Sequence, residues 1–173
     1  VDPHSSTFQR AVFGQYPPGS TFKTITSLAA LKEDEGFYDY QYNCLMGYKV
    51  SGRIMRCWIH SQGATHGLLN LENALMRSCN IYMYETAQKI GYEPIYSMAR
   101  QFGIGQYAGL FPKLNEQYIH KELKYGNLPE SANNAIDLCN LSIGQGQILT
   151  SPLQMAMVTA AIANDCLLYT SDA

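Results

Sequence analysis

The chain has 173 residues, a net charge of -2 and a composition that is 46% hydrophobic, enough for one core and unlike a disordered segment. No basic run is present to give nucleic acid an electrostatic footing, and no short-period repeat points to a solenoid. No apolar run is long enough to span a membrane, and Val1-Asp2-Pro3 enters without an initiator Met or signal peptide, so the start is expected to be cut from a longer protein.

In chain order, Thr7 to Phe13 is the first strand candidate. Tyr16-Pro17-Pro18-Gly19 then breaks any regular element, and Ser20-Thr21-Phe22-Lys23 leads into an apolar run free of Gly and Pro, predicting a helix over Ser20 to Lys32 that Ser20 opens. Residues i and i+3 share a helix face, which sets the Lys23 amine beside the Ser20 hydroxyl. Phe22, Ile25 and Thr26 would bury the lysine stem, pulling its pKa toward neutrality and fitting it to take a proton from serine. The free N–H groups of the helix start would serve a developing oxyanion, so the pair points to acyl transfer. The plainer alternative is an N-cap serine with a solvated lysine.

Gly36 to Thr65 is loop-rich, with a possible hairpin over Tyr48 to Ile54 through Ser51-Gly52. Helical periodicity follows over Leu68 to Arg77, Ile81 to Ile90 and Pro94 to Phe102. Ser78-Cys79-Asn80 lies at the break between the first two. There a hydroxyl can relay a proton, with the Asn80 amide pointing the same way if the backbone is extended, or Ser78 or Asn80 is simply a cap. Gly103 to Asn133 reads as a surface loop. Leu141-Ser142-Ile143-Gly144-Gln145-Gly146-Gln147 is a tight turn beside a site, and Ser151-Pro152 caps a last helix ending at Ala163.

Taken in order, these motifs resemble the transpeptidase domain of class B penicillin-binding proteins. The resemblance rests on Tyr16 to Lys23, on His66-Gly67 with Leu69-Asn70-Leu71 ahead of Ser78-Cys79-Asn80, and on Ile143-Gly144-Gln145-Gly146 with Ser151-Pro152-Leu153-Gln154-Met155-Ala156. The Pro-Pro-Gly lead, Cys57-Trp58 and His66-Gly67 look more like the elongation (rod-shape) branch than the septal one. The resemblance implies Ser20 as acyl-enzyme nucleophile, Lys23 as its base, Ser78 as proton shuttle and Asn80 as a holder of Lys23 and substrate, with Gln145 and Gly146 contacting substrate. It implies peptidoglycan stem peptides and β-lactams as ligands, and a glycosyltransferase and elongation-complex membrane proteins as partners. It places the protein on the outer face of the bacterial cytoplasmic membrane, with an anchor helix outside this chain, and requires no cofactor for catalysis. A serine β-lactamase, a β-lactam sensor and a non-catalytic scaffold are the competing readings.

The implied fold is α+β, the penicillin-binding protein transpeptidase (serine β-lactamase-like) fold, here dominated by its helical part with most of the antiparallel sheet missing. The family's third motif, Lys-Thr-Gly on a strand, does not occur in the sequence. Residues 1–165 are therefore expected to form a partial transpeptidase domain, marginal in solution and inactive alone. Residues 166–173, from Cys166 to Ala173, read like a translated sequencing adapter, with a strand as the alternative.

Of five cysteines, Cys166 falls in that tail. Cys44, Cys57 and Cys79 bracket His66, a thiolate and imidazole set that suits a structural zinc pinning Gln41 to Thr65 against the Ser78 turn, with His60 an equally spaced substitute ligand. Some elongation-type relatives are similar in placing metal ligands here. The alternative is a Cys44–Cys57 disulfide, permitted in the compartment the resemblance implies, with Cys79 a small buried hydrophobe.

Overall fold

Caps and left-handed turns set most element boundaries in this chain. The computed structural model describes residues 10–106 and 126–165. Its elements are α1 (Arg10–Phe13), α2 (Lys23–Glu33), β1 (Tyr42–Cys44), β2 (Tyr48–Val50), β3 (Arg53–Met55), β4 (Gly67–Leu69), α3 (Leu71–Met76), α4 (Asn80–Ile90), α5 (Tyr92–Gln101), α6 (Ala135–Ser142) and α7 (Pro152–Ala163). Contacts divide the described residues into two compact units, one within residues 19–98 and 130–146, the other within residues 10–18, 99–106, 126–129 and 147–165.

In the first unit, a 3-10 turn over Gly19–Phe22 feeds α2, which buries Ile25, Thr26, Ala29 and Ala30. Asp34 ends it: its backbone N–H donates to Ala30 O at 3.0 Å, while its side chain accepts from Gly36 N at 2.8 Å to start the next turn. Strands β2 and β3 form the hairpin expected through Ser51-Gly52, whose φ values of 46° and 76° are the paired positive angles of a tight hairpin turn. Strands β1 and β4 pair antiparallel, with Tyr42 opposite Leu69 and Cys44 opposite Gly67. That pairing takes Leu68 and Leu69 out of the helix expected over Leu68 to Arg77, which begins only at Leu71. Asn70 is its N-cap, accepting from Asn73 N at 3.0 Å.

Helix α4 lies at the centre of the core, burying Ile81, Tyr82, Met83 and Tyr84 with Leu69, Leu71, Ala74 and Ile143. Its polar positions tie it outward. Tyr82 donates to Tyr40 O at 2.8 Å, and the Glu85 carboxylate accepts from the Tyr40 and Tyr48 hydroxyls at 3.1 Å each. Helix α6 was not anticipated in the sequence. Asn134 caps it, accepting from Ile136 N and Asp137 N, and Gln88 of α4 donates to Ala135 O at 3.0 Å. Thr26 of α2 donates to Ser142 O at 2.9 Å, so α2, α4 and α6 share one interior.

In the second unit, an antiparallel bridge joins Tyr16 to Thr150 and another joins Asn127 to Leu149. Helix α7 has the expected bounds. Ser151 and Gln154 form a capping box with Pro152 in the first turn. The strand expected over Thr7 to Phe13 is corrected where it is described: Arg10–Phe13 is helical, and the rest of that segment lies outside the described residues. Much of Gly103 to Asn133 and the tail from Cys166 also lie outside them.

Candidate active site

Ser20 is exposed on the Gly19–Phe22 turn, whose first residue has a φ of 58° that suits glycine. The sequence placed Ser20 at the first position of an α-helix. Instead the α-helix begins at Lys23, and Ser20 belongs to the 3-10 turn ahead of it. The shared face survives, because residues i and i+3 eclipse in a 3-10 turn. Gly144 packs against this turn. Gly19 N donates to Gly144 O at 2.8 Å, and a Cβ on Gly144 would lie 2.7 Å from Gly19 N and from Phe22 Cβ. Gln145 and Gly146, expected to contact substrate, follow it as exposed residues of the same loop.

Ser78 sits at a helix–helix corner. The backbone N–H of Ser78 donates to Leu75 O at 2.9 Å and that of Cys79 to Ala74 O at 2.8 Å, the paired bonds that close a helix C-terminus with a left-handed residue. That residue is Ser78, at a φ of 50°. Glycine is favoured there, and a side chain costs about 1–2 kcal/mol. The extended backbone, on which the sequence reading made the shared direction of Ser78 and Asn80 conditional, is thus not found at Ser78. The cap of α4 is Cys79, neither Ser78 nor Asn80, its sulfur accepting from Tyr82 N at 3.4 Å.

This corner presents three oxygens to Lys23. Its Nζ donates to Ser78 O at 2.7 Å, Ser78 Oγ at 2.9 Å and Asn80 Oδ1 at 2.7 Å. Ser78 Oγ in turn donates to Ser20 Oγ at 3.0 Å. Serine and lysine, placed side by side by spacing, are therefore linked through the Ser78 hydroxyl. Lys23 is 1% exposed. Burial lowers its pKa to about 8, while the nearby Cys57 and Cys79 oppose the shift. A hydroxyl donates and accepts, so with Lys23 neutral the chain of bonds can reverse and carry a proton from Ser20 to the amine.

Directly behind the corner, Cys44, Cys57, His66 and Cys79 are all buried, with one ligand atom of each within 4.8 Å of the others. His66 Nδ1 lies 3.5 Å from Cys44 Sγ and 3.6 Å from Cys57 Sγ. A tetrahedral zinc with ordinary Zn–S and Zn–N bonds separates nitrogen from sulfur by about 3.6 Å, so the donor set and its spacing fit that ion. The four cysteines among the described residues are free thiols, so the Cys44–Cys57 disulfide alternative is absent. The Cys79 thiol hydrogen-bonds to Cys57 and holds that thiol well below its usual range, aided by the N–H of Asn80 at 3.3 Å. Burial pushes Cys44 up. His66 Nε2 is buried without a hydrogen-bond partner among the described residues. His60, the substitute ligand, falls outside the cluster.

Residues 3–170 match the model of the penicillin binding protein transpeptidase domain. The chain belongs to this family. It is 33% identical to the peptidoglycan D,D-transpeptidase MrdA of Acinetobacter baumannii over 91% of its own length, and spans 23% of that relative. Penicillin-binding protein A of M. tuberculosis, solved as a penicillin G acyl-enzyme complex, superposes with a TM-score of 0.78 at 27% identity, over 94% of this chain and 36% of that one. A chain from a peptidoglycan synthase complex described as coordinating polymerization and crosslinking superposes at a TM-score of 0.74 and 30% identity, over 90% of this chain and 26% of that one.

The fold is thus the penicillin-binding protein transpeptidase fold, represented by helices and short antiparallel strands, as the motifs implied. Sequence reasoning passed over two residues of the site. Gly144 was read only as turn-forming, although it is also the floor of the Ser20 turn. Cys79 was read as a metal ligand, although it also caps α4; its position between two motif residues was the available signal.

Proposed function

We propose that this chain carries the serine centre of a peptidoglycan D,D-transpeptidase. The observation that supports it most is the bonded line from buried Lys23 through Ser78 Oγ to exposed Ser20 Oγ. In this reading Ser20 Oγ attacks the penultimate D-Ala carbonyl of a stem peptide, and its proton passes to neutral Lys23. The tetrahedral oxyanion faces the Ser20 backbone N–H, the C–N bond breaks, and Ser78 delivers the proton to the departing D-Ala amine. An amine of a second stem peptide then takes the acyl group, and the proton returns to Ser20. Asn80 holds Lys23 and a substrate amide, and Gln145 and Gly146 border the substrate. β-Lactams acylate the same serine.

The elongation branch, the outer face of the cytoplasmic membrane and a membrane anchor belong to this proposal. It is supported by the likeness to MrdA; among the described residues no helix is long and apolar enough to cross a membrane. A glycosyltransferase and elongation-complex proteins are the proposed partners, a reading favoured by the synthase complex among the structural neighbours.

Catalysis in this scheme needs no cofactor. Cys44, Cys57, His66 and Cys79 would hold a structural zinc, which supplies a fixed tie between the β1–β4 region and the Ser78 corner and takes no part in the transfer.

The test is fluorescent penicillin labelling of the full-length protein. Ser20→Ala and Lys23→Met should abolish it, and labelling that survives Ser20→Ala would sink the assignment.

A further inference from the structure

We propose that Trp58 is a positioning residue for this chemistry: its indole N–H fixes the peptide between Ser78 and Cys79, and so the aim of Ser78 at Ser20 and Lys23. Trp58 is the chain's one tryptophan and stays 46% exposed, so apolar burial alone does not hold it in place. Its Nε1 donates to Ser78 O at 3.1 Å and to Arg77 O at 3.3 Å. The preceding residue grips the other side of Cys79, because Cys57 Sγ accepts the Asn80 N–H at 3.3 Å. Cys57-Trp58 therefore holds both peptide groups that flank Cys79.

The clamp rests on a firm base. The indole meets the His66 ring edge-on with centroids 5.5 Å apart, and Ser61 donates to Trp58 O at 2.8 Å across the 3-10 turn Trp58–Gln62. What it holds needs holding, since Ser78 is a non-glycine residue at a φ of 50° and a strained backbone persists only where its surroundings over-determine it. Ser78 O has two donors, Lys23 at 2.7 Å and Trp58. Protonated Lys23 spends its three hydrogens on Ser78 O, Ser78 Oγ and Asn80 Oδ1. The neutral amine that must accept a proton has one hydrogen fewer. Trp58 is then the donor that keeps the carbonyl end of this peptide in place while Ser78 Oγ relays.

This inference rests on the proposed acyl transfer, and its test separates the two. In the full-length protein, Trp58 is replaced by β-(3-benzothienyl)alanine, which keeps the ring's shape and lacks the N–H; Trp58→Phe is the second variant. The expected result is a roughly tenfold slower acylation rate constant at saturating penicillin, with the half-saturating concentration changed less than about twofold and Tm within about 2 °C. An unchanged rate constant in the benzothienyl variant, or a loss confined to the half-saturating concentration, overturns the proposal. The second readout needs no activity: in wild-type protein the Trp58 indole N–H should exchange slowly with solvent by NMR despite its exposed ring, and fast exchange overturns the clamp. If wild-type protein never labels with penicillin, the acyl-transfer reading fails while the exchange result still judges the clamp.

Discussion

Gly144 lies so close to Gly19 that the two backbones meet without room for a side chain between them. Gly144→Ala places a Cβ against Gly19 and Phe22 at a φ of 69°. It is expected to lower the unfolding free energy by about 2–3 kcal/mol and to slow acylation by displacing the Ser20 turn. Urea unfolding and penicillin acylation rates check both effects.

Acylation should depend on the neutral form of Lys23, whose pKa is lowered to about 8. Below that value the neutral fraction falls tenfold per pH unit, so the rate should rise from pH 6 to a plateau above pH 8, by about a hundredfold in all. A stopped-flow pH profile measures this, and a flat profile would remove Lys23 as the base.

Ser78→Gly and Ser78→Ala both remove the relay hydroxyl, and both should slow acylation about a hundredfold. They should differ in stability. Glycine accepts the left-handed backbone at 78 and alanine does not, so the glycine variant should be the more stable of the two by about 1 kcal/mol. Equal stabilities would mean that the corner relaxes out of that conformation.

Purified protein is expected to carry one zinc per chain, and Cys44→Ser should lower both the zinc content and the Tm by several degrees. Chelation should destabilise the wild type and leave the Cys44→Ser variant nearly unchanged. Elemental analysis with thermal melts decides it.

Local signals with a single reading were legible. Ser151-Pro152 gave α7 its bounds, and Ser51-Gly52 gave the β2–β3 turn. What escaped was set by distant partners. Leu68 and Leu69 read as helix because their apolar run continues into Leu71, but pairing with Tyr42 and Asn43 makes them strand. Ser78 read only as a break because nothing local marks serine for a left-handed angle; besides the bonds that close α3, those that fix its carbonyl come from Lys23 and Trp58, far along the chain. The Ser20 and Lys23 pair was visible as a spacing, whereas the Ser78 hydroxyl between them was visible only once α2 and the α3–α4 corner were packed.

A lysine 1% exposed, met by neutral oxygens of Ser78 and Asn80 with no carboxylate bonded to it among the described residues, is a burden on the fold that carries it. Lys23→Met would remove that burden in one substitution and leave the helix intact. Under the proposed function, loss of this lysine is thus downhill in stability, and selection on that reaction is what keeps it in the chain. A relative that keeps every motif but this lysine should be read as a lapsed enzyme with a sturdier core.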